Sequence, residues 1–390
     1  MTIEGSADVG PAARIRLGMV GGGQGAFIGA VHRIAARLDD RYTLLAGALS
    51  SDPERALASA RELGLDPRRS YPDYKSMASR ERRLKDGIEA VSIVTPNHMH
   101  FPVARTFLQA GIHVICDKPL VHRGREARQL QKLAADKDLL FAVTYNYTGY
   151  PMVRQAREMV AAGELGDIRV VQVEYPQDWL TEKLEDTGQK QAAWRTDPAR
   201  SGAGGCVGDI GTHAYHLASF VTGLELEELC ADLSRFVDGR QLDDNVQILL
   251  RFKGGARGML WASQVAPGNE NALRLRVYGS RGGLEWRQED PNYLDHTPFG
   301  EPPRRITRGG SGSREVAGRL TRIPPGHPEG YLEGFANLYS EVASAIQARR
   351  EGRDAAAEVL FPTVDDGARG VAFIEAAVRS SERGARWVGL

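Results

Sequence analysis

The chain has 390 residues, 42% of them hydrophobic and 26% charged, with 50 basic side chains matched by 50 acidic ones. This is the composition of an ordinary globular protein too long for one core, so two domains are expected, and the zero net charge gives no electrostatic reason for a nucleic-acid or membrane-surface partner. No apolar run approaches a membrane span, and three scattered cysteines give neither a disulfide framework nor a zinc spacing, which together predict a reducing, cytoplasmic setting and no metal centre.

Residues 1–13 are polar and without period. They read as a flexible arm, or as one that orders against a neighbouring subunit, and they lack the basic stretch and apolar core of a signal peptide. From residue 14 the pattern alternates. Apolar runs at 15–20, 42–49, 90–94, 113–116 and 139–144 read as strands, with helical stretches near 24–38, 53–63, 99–110 and 123–137 between them. In the first helix Phe27, Ile28, Val31, Ile34, Ala35 and Leu38 recur at steps of three and four, giving one apolar face. Such alternation predicts an α/β fold over 14–145, a doubly wound parallel sheet with right-handed crossovers.

After residue 150 the rhythm changes. A helix near 151–162 leads to an alternating run at 168–175 and a short helix near 212–222. Strands are expected at 228–237, 245–253, 257–266 and 272–278, a long loop at 300–329, and helices near 330–349 and 364–380. Residues 146–390 are therefore expected to form an α+β domain on an open, largely antiparallel sheet, serving substrate binding and oligomerisation, with the last helix packing back on the first domain.

Strand one is followed by Gly21-Gly22-Gly23-Gln24-Gly25-Ala26-Phe27, in which Gly21, Gly23 and Ala26 fit G-x-G-x-x-[GA]. The first glycine allows a tight turn, the second admits a pyrophosphate, and the small third residue lets helix and strand close together, with free N–H groups at the helix start for phosphate. Strand two ends in Ser50-Ser51-Asp52-Pro53-Glu54-Arg55. Ser50, Ser51 and Arg55 suit an adenosine ribose or a 2′-phosphate, while Ser51 or Asp52 equally suits a helix cap. NAD is expected and NADP stays open.

Thr95-Pro96-Asn97-His98-Met99-His100 follows the third strand at the carboxyl edge, where ligands bind; Asn97 and His100 are placed to reach cofactor ribose, and Thr95 or Asn97 also suits a cap. Cys116-Asp117-Lys118-Pro119 ends the fourth strand. Lys118 there can polarise a carbinol oxygen, although a solvated turn lysine would read the same. In the second half, Asp209 and His213 are four residues apart, with His216 three further on. His213 is a candidate general base, and Asp209 a residue that orients it or binds a hydroxyl, against the plainer readings of a helix cap and packed histidines. Trp194 and Arg195, Asn146 and Tyr147 at the domain junction, and Gln177, Asp178 and Trp179 offer stacking and polar groups suited to a sugar.

These segments together resemble the Gfo/Idh/MocA family of sugar oxidoreductases, on Gly21 to Ala26, Thr95-Pro96-Asn97, Asp117-Lys118-Pro119, Trp194-Arg195, and Asp209 with His213. Asp117 stands where a glutamate is usual, and Tyr147 where an arginine usually follows the asparagine. The resemblance implies a Rossmann domain plus an open-faced sheet domain, Lys118 and His213 as the catalytic pair with Asp209 contacting substrate, and a homodimer or homotetramer. It implies a cofactor site of Gly21, Gly23, Gln24, Gly25, Ala26, Phe27, Ser50, Ser51, Arg55, Thr95, Pro96, Asn97, His100, Asp117, Lys118, Asn146, Trp194 and Arg195. The substrate set is Lys118, Tyr147, Gln177, Asp178, Arg200, Asp209 and His213.

Three functions follow as expectations. One is hydride transfer between nicotinamide and a ring carbinol of a pyranose or pyranoside, at C3. Another is a redox-neutral NAD-dependent glycosidase that oxidises C3 transiently, eliminates at C1, adds water and reduces again. For this one an anionic glycoside such as a sulfoquinovoside is a candidate, met by arginines 304, 305, 308, 314, 319 and 322 or by Lys183 and Arg200. The last is a dinucleotide-binding sensor without catalysis.

Overall fold

A computed structural model describes residues 13–357 and 359–390. The arm expected at residues 1–13 lies, but for Ala13, outside the described residues.

The first half alternates as expected: β1 (Ile15–Gly21), α1 (Phe27–Leu38), β2 (Tyr42–Ala48), α2 (Pro53–Glu62), α3 (Tyr74–Glu81), β3 (Ala90–Val94), α4 (His100–Gln109), β4 (His113–Cys116), α5 (Gly124–Asp136) and β5 (Phe141–Val143). The strands pair in parallel in the order β2-β1-β3-β4-β5. All five side chains of β3 are buried, as a central strand covered on both faces requires. Asp52 caps α2 through the Arg55 N–H at 2.8 Å, with Pro53 in its first turn. Helix α3 was not expected from the sequence. Its apolar face is only Met77 and Ala78, and its start is fixed instead by Asp73, which accepts the N–H groups of Lys75 and Ser76 at 2.8 and 2.9 Å.

The second half holds α6 (Pro151–Ala161), β6 (Ile168–Pro176), α7 (Lys190–Arg195), α8 (Pro198–Ser201), α9 (Thr212–Thr222), β7 (Leu226–Ser234), β8 (Asn245–Phe252), β9 (Arg257–Ser263), β10 (Arg274–Gly279), β11 (Gly282–Arg287), β12 (Tyr293–Pro298), β13 (Arg304–Thr307), α10 (Glu315–Gly318), α11 (Tyr331–Arg350), α12 (Val364–Glu382) and β14 (Val388–Gly389). Its sheet runs β13-β12-β11-β10-β6-β9-β8-β7-β14, antiparallel except between β6 and β9. The loop expected at 300–329 is corrected: it contains β13 and α10. β13 has only four residues and takes its register from β12, which a short Arg-rich run does not announce by itself.

One face of this sheet is covered by helices and the other is open. Helix α11 returns to the first half, where its Tyr339 packs edge-on against Tyr42 and His32 beside α1. The buried Arg154 of α6 forks onto Glu341 of α11 at 2.9 and 2.8 Å, tying that helix to the second half as well. Helix α12 packs on both α5 and β7.

Candidate active site

A cleft of about 1180 Å³ runs between the ends of the parallel strands and the helical face of the large sheet. The glycine turn forms one end. Gly21 has φ +81°, and a Cβ there would meet the Val94 carbonyl oxygen at 2.7 Å. At Gly23 the saved space is taken by the Leu49 carbonyl and the Ser59 hydroxyl, both 2.7 Å from where a Cβ would stand, rather than being left to a ligand. The close helix contact expected of Ala26 belongs to Gly29, whose Cβ would lie 2.3 Å from the Gly22 Cα. Gln24, Ala26 and Phe27 line the cleft, whereas Gly25 does not, and open space surrounds it.

Ala26 begins α1 without a side-chain cap, so the first N–H groups of the helix are available to an anion. Ser50, Ser51 and Arg55 line the far wall, with Thr95, Pro96 and Asn97 between. Ser50 also accepts the Asp52 N–H at 3.1 Å, and Asn97 donates to the Ser201 carbonyl at 3.0 Å, fastening α8 over the cleft. His100 is corrected: it is fully buried, its ring bridges the carbonyls of Pro119 at 2.8 Å and Thr95 at 3.0 Å, and it braces two loops instead of facing ribose. The turn, the uncapped helix start and a cleft of this size fit a dinucleotide.

The other end is built where the two sheets meet. Lys118 leaves β4 and donates to the Asp209 backbone carbonyl and, at 2.9 Å, to Asp209 Oδ1. Asp209 stands on a π-helical turn, Val207–Gly211, that runs into α9. Its Oδ2 accepts from Gln264 at 2.9 Å and from Arg195 at 3.2 Å, and Arg195 in turn lies over the Trp194 ring at 4.3 Å. Burial works to raise the Asp209 pKa, but Lys118 and Arg195 outweigh it and hold the carboxylate well below its usual range. The expectation that Asp209 orients His213 is corrected. Its carboxylate bonds go to Lys118, Arg195 and Gln264, because the π turn aims it at β4 and α7.

His213 lines the same cleft, with its Nδ1 buried and without a partner among the described residues. Burial first, then the Lys118 charge, push its pKa well below the ordinary 6.5. His216 takes no part, since it stacks on Tyr145 at 4.0 Å and faces Asp366. Asp117 lines the floor and accepts from Thr144 at 2.6 Å and from the buried His32 at 3.2 Å; His32 was not foreseen, being a lone histidine on an apolar helix face.

Asn146, Tyr147, Gln177, Trp194, Arg195 and Arg200 are all brought to the cleft. Asp178 is not: it turns away to accept the Gly268 N–H at 3.2 Å. The arginines at 304–322 are also corrected as substrate contacts. None reaches the cleft, and each answers a carboxylate, as Arg305 does Asp295 at 2.8 Å and Arg308 does Glu329 at 3.0 Å. Lys183 pairs with Asp186 at 3.2 Å. The sequence reading missed Tyr175, Gln191, Asn271, Gln288 and Tyr331, which line the cleft from five separate segments with no shared motif. Among the described residues no group of three or more His, Cys, Asp or Glu side chains is placed to hold a metal, and no helix is long and apolar enough to cross a membrane.

Residues 15–145 match the family described as "Oxidoreductase family, NAD-binding Rossmann fold", and residues 153–285 match the GFO/IDH/MocA C-terminal domain. This chain is a member of the Gfo/Idh/MocA oxidoreductase family. A crystal structure of an oxidoreductase from Sinorhizobium meliloti is 61% identical, superposes with a TM-score of 0.88, and covers 96% of this chain and 99% of its own. An inositol dehydrogenase homologue from Azotobacter vinelandii, solved with NADH and myo-inositol, is 38% identical with a TM-score of 0.91 over 97% of this chain and 98% of its own. Levoglucosan dehydrogenase of Pseudarthrobacter phenanthrenivorans is 28% identical over 70% of this chain and 74% of its own. Within the family, this protein is an NAD-binding oxidoreductase with a Rossmann domain and a mainly antiparallel sheet domain.

Proposed function

We propose that this enzyme oxidises a ring carbinol of a cyclic polyol or pyranose, at C3 in a pyranose, with Lys118 polarising the oxygen and His213 taking the proton. The carrying observation is that Lys118, just after a Rossmann strand, and His213, from α9, line one cleft together with Asp209, to which Lys118 is bonded. Bound NAD would supply the hydride acceptor, held by the Gly21–Phe27 turn, Ser50, Ser51, Arg55 and the 95–97 loop.

An ammonium has three donors, and two of those of Lys118 go to Asp209. The third is left for the carbinol oxygen, where it favours the alkoxide-like form. His213, neutral through burial and the neighbouring cation, has a lone pair for the hydroxyl proton. Arg195 and Gln264 fix the Asp209 carboxylate so that Lys118 keeps its aim.

The inositol dehydrogenase homologue and levoglucosan dehydrogenase make myo-inositol and levoglucosan the first compounds to try. The test is NADH formation from NAD with each, run beside aryl glycosides monitored for aglycone. NADH growth with a polyol supports net oxidation. Aglycone release without NADH would overturn it in favour of the redox-neutral glycosidase, and tight NAD binding with neither reaction would favour a sensor.

We also infer that the chain is a homo-oligomer joined through the open face of the large sheet. Leu249, Met259, Tyr278 and Val170 are exposed there on neighbouring strands, beside a shallow depression of about 460 Å³ that contains none of the proposed catalytic side chains.

A further inference from the structure

One wall of the cleft carries a chain of polar side chains. The Tyr147 hydroxyl meets the Tyr175 hydroxyl. Tyr175 donates to Asn271 Oδ1 at 2.7 Å, and Gln177 Nε2 donates to the same oxygen at 2.6 Å. Asn271 Nδ2 then donates to Gln288 Oε1 at 3.0 Å, with the Asn271 oxygen turned to Tyr175 and Gln177. All five residues line the cleft, and both tyrosines are buried.

The protons in this chain can be counted. Each phenol has one to give. That of Tyr175 is committed to Asn271, so the proton between the tyrosines belongs to Tyr147. The Tyr147 oxygen, which the Asn271 amide also approaches, then has no donor to offer and a lone pair left to accept. Its ring packs edge-on against the His213 imidazole, with centroids 5.0 Å apart. This acceptor therefore belongs to a tyrosine whose ring packs directly against the proposed base.

We propose that the Tyr147–Tyr175–Asn271 chain is a specificity reader: Tyr147 accepts a hydrogen bond from a substrate hydroxyl neighbouring the carbinol on which Lys118 and His213 act. The inference rests on the polyol reading above and narrows it to substrates with a free hydroxyl beside the oxidised carbon. A substituent that only accepts, or none at all, leaves a buried phenol oxygen unanswered and is rejected.

The test uses NADH-loaded full-length protein and calorimetric binding of levoglucosan and myo-inositol, each with its monodeoxy and monodeoxyfluoro analogues. Fluorine keeps acceptor character and loses the proton. At one ring position wild type should bind both analogues about tenfold or more weaker than the parent. Tyr147→Phe should bring that ratio to within about twofold of one by weakening the parent alone, with ratios at other positions unchanged. Tyr175→Phe, which frees the Tyr147 proton, should restore binding of the fluoro analogue but not of the deoxy one, and it serves if Tyr147→Phe does not fold. Position ratios that stay as in wild type in the folded variants would overturn the proposal. Wild type binding neither parent would sink the polyol reading, and this one with it.

Discussion

Lys118 Nζ lies 2.9 Å from Asp209 Oδ1, although the residues are 91 positions apart, one just after β4 and the other on the π turn before α9. The ion pair joins the turn after β4 to the π turn that leads into α9, which carries His213. It is mostly shielded from water, with side-chain exposures of 16% and 15%, so its attraction is stronger than that of a surface pair.

Replacing that cation should remove chemistry while leaving the dinucleotide site. Lys118→Met is expected to lower kcat by about 10²-fold or more, the scale of losing one preorganised donor to a developing oxyanion. NAD affinity by fluorescence titration should change by no more than about threefold, since the glycine turn and helix start are untouched. A variant keeping half of wild-type kcat would remove Lys118 from the mechanism.

The pH profile should report His213. Burial and the Lys118 charge lower its pKa, so the neutral, proton-accepting ring persists into acid. The acid limb of kcat/KM is expected below the ordinary histidine value of 6.5 and should vanish in His213→Gln along with most activity. In Lys118→Met, NMR titration should find the imidazole pKa raised, because a like charge has gone. A limb above the ordinary value would contradict the assignment.

Asp243 underlies the π turn. Its carboxylate accepts the N–H groups of Gly205 and Val207 at 2.6 and 2.8 Å. Burial pushes its pKa up to about 6 in spite of those bonds. A carboxyl with a raised folded-state pKa contributes stability that is complete below its unfolded value of about 4 and is lost as pH rises through about 6, a change of roughly 3 kcal/mol. Urea unfolding of wild type against Asp243→Asn over that window should show this slope only in wild type. Asp243→Ala, which releases both N–H groups, should cost about 1–3 kcal/mol and lower kcat through a displaced Asp209.

Gly29→Ala should force α1 off the glycine turn, because the added methyl overlaps the Gly22 backbone. A loss of about 1–3 kcal/mol in thermal stability is expected, together with weaker NAD binding. Unchanged NAD affinity would mean that the turn does not depend on this contact.

Met259→Lys on the open sheet face should yield a smaller species by light scattering with the catalytic cleft intact, since Met259 is 47% exposed and does not line the cleft. An unchanged molar mass would place the subunit contact elsewhere.

Much of this was legible before any coordinates. The alternation of apolar runs up to residue 145 announces the parallel sheet because each crossover needs its own helix. Lys118 and His213 stand out because their residue types match a chemistry. Helix α3 and strands β11 to β13 were not legible, since their order comes from Asp73, from short-range pairing and from neighbours rather than from periodicity. His100 and Asp178 read as site residues from position alone, and burial or a turned side chain removes them.

By itself the sequence determined the nucleotide fold and the order of its elements, and it put forward two groups for the proposed hydride chemistry, because periodicity and residue type are local properties. Only the tertiary structure decided that Asp209 answers Lys118 rather than His213, that Gly29 rather than Ala26 lets α1 close in, and that Tyr147, Tyr175 and Asn271 form one chain. Hydrogen-bond partners are chosen by direction and distance in space, and residues brought together from five segments leave no pattern along a single one.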